Sequence, residues 1–437
     1  MAEDSASVLP RLLEILEESR KLGARGAELL RSQSQTTQAT CKGAGEITTS
    51  HSESLQTRLI VYLDKGRSHS LSLPDLEPAK VTSRLKQGLA RAVKARPNPQ
   101  AGPAERYDIP DRGLGIDDPR YPKVDDEARR DVLEANRASL ANTPCTLLEA
   151  QYTDALHQRT FASTRGVHAT ERSTEYQLIL TARHRASGHS LTNTSSAHNF
   201  AHVASIPHGK GLVRALEAMS GKKGVVPGPL PLVLSPRVIA WILEQIMPAF
   251  AADVVAKGAS FLNALGEEPI GSRRFHVIDD SSLPGGDRTV AFDDRGVPPV
   301  PVSVIREGKL GGLYHSPETA RRAETRPTGH VQGTRIRPGN LVVRHGNRSR
   351  TQMLSEVPAS IHVLHLSGSI DPTNGMMKAK GPGLLLEKGQ VVGCISELKI
   401  HLPVVDLLRA VKEISSNQQR FGAVDCATTL THPIDLS

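Results

Sequence analysis

Aromatic side chains make up only 3% of the 437 residues, with a single tryptophan. The core must therefore be built mostly from leucine, valine, isoleucine and alanine, and the scarcity disfavours a base-stacking platform for single-stranded nucleic acid. The four cysteines, Cys41, Cys145, Cys394 and Cys426, are widely separated and form no C-x-x-C pair. That spacing excludes a dense disulfide framework and reads as reduced thiols of the cytosol. Long apolar runs are missing too. The most apolar stretch, Pro231 to Ala256, is broken by Pro236, Arg237, Glu244 and Pro248, so it is not expected to cross a bilayer. The start, Met1-Ala2-Glu3-Asp4, is acidic and leads into an amphipathic pattern, unlike a secretory signal. A cytoplasmic chain without a membrane anchor is expected.

The length suffices for two domains, each with a core of its own. Net charge is +8, from 54 basic and 46 acidic residues, which permits an acidic partner or peptide substrate and points weakly to nucleic acid. The densest basic stretch, Arg321 to Arg350, holds eight arginines against one acid, Glu324. Leu9, Leu12, Leu13 and Leu16 recur at helical spacing over Val8–Leu22, with Gly23 as the stop. Arg58–Leu63 and Ser68–Leu73 read as a hairpin about Asp64-Lys65-Gly66. Val81, Leu85, Leu89 and Val93 mark a second helix, Pro97–Pro122 a covering loop, and Asp125–Leu140 a third helix. Strands follow at Leu147–Gln151, Arg159–Ser163 and Thr174–Ala182, with a turn at Arg165-Gly166.

Gly221–Gly228 is the expected boundary, giving domains of residues 1–220 and 221–437. Beyond it come a strand (Leu230–Leu234) and a helix capped by Ser235 with Pro236 at its first position. Short strands follow at Ser303–Arg306, Asn340–Val343, Ile361–Leu366 and Gly383–Leu386, then a closing helix over Val404–Ile414. Helices followed by hairpins imply an α+β fold, with an N-terminal antiparallel sheet carrying helices and a β-rich C-terminal domain.

Several short motifs recur in order. They include Lys257-Gly258-Ala259-Ser260-Phe261-Leu262, Leu265-Gly266-Glu267, Val277-Ile278-Asp279-Asp280 and Phe292-Asp293-Asp294-Arg295-Gly296. Arg306-Glu307-Gly308-Lys309-Leu310, Pro327-Thr328-Gly329, Gly339-Asn340-Leu341 and Glu387-Lys388-Gly389 follow. In this order and spacing the chain resembles the PmbA/TldD family, and within it the TldE branch. The fourth motif is similar to that family's F-D-D-E-G.

In the TldD branch a helix just before the K-G-x-S-F segment carries H-E-x-x-x-H. Its histidines bind zinc, its glutamate takes a proton from metal-bound water, and a cysteine near the C-terminus completes the site. Counting back from Ser260 places Leu243, Glu244 and Pro248 at those positions. Neither Leu243 nor Pro248 offers a lone pair, so Glu244 reads as a vestige, a solvated or capped helix residue, and Cys426 as an orphaned ligand. Trp241, Ile242 and Ile246 read as core-facing. His198 and His202, with His208 near, sit in a run read as a loop, and on a strand His362 and His365 would face opposite sides. No G-x-S-x-G elbow appears.

The resemblance implies a non-catalytic subunit that binds no cofactor itself and pairs with a TldD-like, zinc-bearing partner to process unfolded or small peptides. Arg335 and Arg337 are then expected to touch peptide or partner. Two other readings stand beside it. One is a divergent peptidase, active as a homodimer with an unrecognised metal site. The other is a nucleic-acid-associated regulator of the gyrase-modulator type, which the scarcity of aromatics disfavours.

Overall fold

A computed structural model describes residues 5–110, 113–205, 208–221 and 228–435. The N-terminal half is one six-stranded antiparallel sheet: β1 (Gly26–Lys42), β2 (Thr48–Tyr62), β3 (Ser68–Ser72), β4 (Cys145–Ser163), β5 (His168–His184) and β6 (Ser190–Ala197), ordered β3-β2-β1-β4-β5-β6. Helices α1 (Ser5–Lys21) and α2 (Pro78–Lys94) cover one end of it. Leu12, Ile15 and Leu16 of α1 and Val81, Leu85 and Leu89 of α2 are buried there with Leu29, Leu59 and Val61 of the sheet. Gly88 lets α2 approach β3, since a Cβ there would lie 2.9 Å from Leu71.

The other end is covered by α3 (Asp126–Ala138), the short α4 (Phe200–Ala204) and α5 (His208–Met219). The Asp125 side chain accepts the Ala128 N–H at 2.9 Å and starts α3. Val132, Leu133, Leu212 and Leu216 pack there on Tyr152, Tyr176 and Leu178. The helices cover one face of the sheet and leave polar side chains such as Ser32, Ser34, Ser54 and Gln56 for the other.

The C-terminal strands are β7 (Pro231–Leu234), β8 (Val277–Asp279), β9 (Val302–Arg306), β10 (Lys309–Leu310), β11 (Val331–Gln332), β12 (Arg335–Ile336) and β13 (Leu341–Val343), then β14 (Ala359–Val363), β15 (Ser367–Ile370), β16 (Met376–Glu387), β17 (Gln390–Pro403), β18 (Val411–Phe421) and β19 (Val424–Pro433). Eleven of them form one mixed sheet along β10-β9-β8-β13-β19-β7-β14-β16-β15, with β17 on β16 and β18 on β19, while β11 and β12 make a separate hairpin. Helix α6 (Pro236–Ile246) lies against this sheet, and its apolar face enters the largest core. The architecture is mixed α+β.

Several expectations need correction. Leu147–Gln151 and Arg159–Ser163 are parts of a single 19-residue strand. Its middle is stabilised by pairing on both sides, to β1 and to β5. The closing helix stops at Arg409, and Val411–Ile414 begin β18, held by β19. The polar run before His198 is strand β6 rather than loop, and Asn199 then caps α4 by accepting the Ala201 N–H at 3.0 Å. Most of the expected boundary, residues 222–227, lies outside the described residues.

Candidate functional site

Helix α6 begins where Ser235 accepts the Val238 N–H at 3.3 Å, with Pro236 at its first position. Val238, Ile239, Ile242, Leu243 and Ile246 are fully buried in the C-terminal core, and Trp241 is half-buried at its edge. Leu243 at 0% exposure is thus an interior side chain. Pro248 lies beyond the helix in a tight turn, Met247–Phe250.

Glu244 projects from the other side of α6 and is neither free nor a cap. Its Oε2 accepts Arg288 Nη2–H at 2.8 Å, with each side chain about one-third exposed. Arg288 is held in turn: its backbone N–H donates to Asn340 Oδ1 at 2.9 Å, and Nη1–H reaches the Pro338 carbonyl at 3.4 Å. A fixed guanidinium therefore neutralises the one carboxylate of the motif.

Cys426 lies on β19 beneath the start of α6, where its thiol donates to the Pro236 carbonyl at 3.1 Å. Burial pushes this thiol up to about 12, and Asp425 adds to the shift. A protonated thiol is a poor metal ligand. Leu243 and Pro248 have no donor atom, Glu244 is committed to Arg288, and Cys426 is committed to a backbone carbonyl. These residues do not fit a zinc centre of the H-E-x-x-x-H type. Among the described residues no three His, Cys, Asp or Glu side chains converge as a metal site.

A buried polar cluster backs the end of α6. Tyr314 O–H donates to Asp279 Oδ2 at 2.8 Å and lies 3.6 Å from Met247 Sδ. Burial, then Asp279, pushes the Tyr314 hydroxyl far above its ordinary value. His330 faces Asp279 Oδ1 through Nε2 at 3.2 Å and the Thr328 carbonyl through Nδ1 at 2.8 Å. The Gly339 N–H completes the Asp279 shell at 2.8 Å. This satisfied network pins β8, the 327–330 turn and the 338–340 loop behind Glu244 and Arg288.

In front of it lies a cleft between the polar face of the N-terminal sheet and the C-terminal loops. Two cavities, about 370 and 290 Å³, share Arg159, Arg288, Val290 and Gln332 as wall. Ser32, Ser34, Ser54 and Glu175 line the sheet side. Arg159 crosses between the halves, donating to Glu171 at 3.1 Å, to Asp294 at 2.7 Å and to the Phe292 carbonyl at 3.0 Å.

The segment Phe292–Gly296 clamps this junction. Asp293 is buried and accepts backbone N–H groups from Arg295, Val297 and Val331 at 2.8, 3.0 and 3.0 Å. Burial outweighs those bonds and pushes its carboxyl up to about 6. Arg295 stands where the family pattern has glutamate. Its Nε–H meets Glu28 at 2.6 Å, Nη1–H meets Glu318 at 2.8 Å, and Nη2–H meets the Tyr62 hydroxyl at 2.8 Å. Sequence reasoning missed this clamp because the partners are 267 residues apart.

The basic stretch is dispersed. Arg337 faces the 290 Å³ cavity, whereas Arg335 lines a different one of about 400 Å³ beside Arg58, Lys257 and Arg322. Arg321 donates to the Gln100 carbonyl at 2.6 Å, and Arg326 sits 4.8 Å over the Tyr107 ring. Arg348 pairs with Glu356 and Glu413. His198 bridges the halves, with Nε2 3.0 Å from the Gly286 carbonyl, while His202 and His208 line another cavity.

Residues 227–437 match the model of the PmbA/TldA metallopeptidase C-terminal domain. A metalloprotease of Methanocaldococcus jannaschii is 27% identical over 213 residues, covering 47% of each chain, and the first curated relatives are spanned over only about half their length. Metalloprotease PmbA of Escherichia coli is 22% identical over 385 residues, 85% of this chain and 83% of that one. Among solved structures, a Thermotoga maritima protein described as a candidate modulator of a DNA gyrase superposes with a TM-score of 0.88 at 19% identity, over 97% of this chain and 98% of that one. TldE from Thermococcus kodakarensis gives 0.84 at 18% identity, over 97% and 99%. The structural likenesses establish the fold, and the C-terminal part of the chain, residues 227–437, is a PmbA/TldA metallopeptidase C-terminal domain.

Proposed function

We propose that this protein is the non-catalytic, TldE-type partner of a TldD-like metalloprotease subunit, in a heterodimer that processes unfolded or small peptides in the cytoplasm. Zinc is bound by the partner and none by this chain. The observation that carries the reading is the fate of the motif on α6. Leu243 is a core side chain and Arg288 occupies Glu244, so the scaffold persists where the ligand set does not. The cleft between the halves is the surface this chain contributes to peptide binding. Arg337 and Arg288 supply positive charge there, and Arg335 supplies it in the adjoining cavity.

The test is metal content and peptidase activity of the purified chain alone. Substoichiometric zinc and no cleavage of an unfolded peptide are expected. Stoichiometric zinc with cleavage would favour a homodimeric peptidase with another metal site instead.

A further inference from the structure

A cavity of about 560 Å³ lies at the other end of the strands that carry the cleft. Strands β8 and β13 are antiparallel, with Asp279 opposite Leu341 and Val277 opposite Val343. Asp279 and Asn340 therefore mark the cleft end. His276 and Arg344, just past the last pair, mark the opposite end, where the Arg344 N–H donates to the His276 carbonyl at 3.0 Å. Two such three-residue strands put about 10 Å between the ends.

Arg273, Arg274, Arg344 and Arg348 line this cavity with only two carboxylates, Glu307 and Glu413. Arg348 is committed, to Glu356 at 2.6 Å and Glu413 at 3.4 Å. Arg273, Arg274 and Arg344 have no carboxylate partner within 4 Å among the described residues. Three guanidinium groups around one concavity repel one another unless an anion sits between them. His276 lines the same cavity, and its Nδ1 is shielded from solvent with no hydrogen-bond partner among the described residues.

The wall is built tightly. A Cβ on Gly346 would meet the Ile414 carbonyl oxygen at 2.1 Å, so only glycine lets the 344–348 loop press onto β18 and hold Arg344 and Arg348 at the rim.

We propose that this cavity is a binding site for a compact polyanion, a small molecule carrying two or more phosphate charges. Guanidinium forks match phosphoryl oxygens in geometry and charge. The volume falls in the range of small-ligand pockets, roughly 300–1,000 Å³. No phenylalanine, tyrosine or tryptophan lines it to stack a base, so nucleic acid is the poorer occupant. The ligand is distinct from the peptide of the cleft.

Titration calorimetry of the full chain with inorganic pyrophosphate tests the site, against an Arg274→Gln/Arg344→Gln variant and a control, Arg84→Gln, on the exposed face of α2. Saturable one-to-one binding is expected in the parent and the control. Affinity should fall about tenfold or more in the double variant, as for the loss of a charge-assisted hydrogen bond. Burial, then Arg344 and Arg306, holds the His276 imidazole below its ordinary range. A bound anion favours the protonated ring, so the His276 resonance, assigned with His276→Gln, should titrate at higher pH with pyrophosphate present. Absence of saturable binding, equal affinity in the double variant, an unmoved His276 titration, or binding of duplex DNA in preference to pyrophosphate would each overturn the proposal.

Discussion

Leu243→His places an imidazole where metal-binding relatives would carry one, in a position that is now core. The leucine is fully buried among Ile239, Ile242 and Ile246, and losing its burial costs about 1.5–3 kcal/mol. The new ring brings two polar nitrogens into that core without partners, at about 1–3 kcal/mol. The sum, about 2.5–6 kcal/mol, is a large part of the roughly 5–15 kcal/mol that stabilises a typical domain. Trp241 is the only tryptophan and lies on the same helix, so its fluorescence in urea reports the unfolding of α6 directly. The midpoint should fall steeply in Leu243→His and little in Leu243→Met, a volume-conserving change worth under about 1.5 kcal/mol. Zinc is the decisive addition. A rebuilt site would regain about 2.7 kcal/mol at a hundredfold excess over its dissociation constant. No recovery is expected, because the remaining candidate ligands are tied to Arg288 and to the Pro236 carbonyl. A histidine variant as stable as the parent, or one restored by zinc, would refute the reasoning.

Arg295→Met strands Glu28 in a buried site and should cost about 3–5 kcal/mol; adding Glu28→Gln should recover part of this in urea midpoints, and strict additivity would count against the clamp. Asp293, raised from 3.8 to about 6, contributes stability that is complete below pH 4 and lost as pH rises through 6. The stability difference between the parent and Asp293→Asn should therefore change across that window, and a constant difference would contradict the assignment. Cys426, with its thiol near 12, should resist thiol-disulfide reagents at pH 8 in the folded chain. Rapid labelling there would show a thiolate available for metal.

The elements legible in the sequence were those with a local chemical signature. Ser235-Pro236 announces α6, and the turn at Asp64–Gly66 is visible in Gly66, whose φ is +66°. Strand β1 carries no such signal over Arg31–Gln38, where neither face is consistently apolar; the ladders to β2 and β4 hold it extended. Val404–Ile414 carries apolar residues at helical spacing, but Val411 and Ile414 pair with β19 instead. At the site, the resemblance to the TldD-type motif is what singles out Leu243, Glu244 and Pro248, and the structure makes Leu243 a core side chain. The partner of Glu244 could not be read from the sequence, because Arg288 is 44 residues away and nothing local marks it.

The most direct measurement of the supporting-subunit role is reconstitution. The purified chain is mixed with a TldD-type subunit carrying H-E-x-x-x-H, and complex mass and cleavage of an unfolded peptide are read together. A heterodimer that cleaves much faster than either chain alone is the expected result. Cleavage by this chain alone, or full activity of the TldD-type subunit without it, would contradict the role.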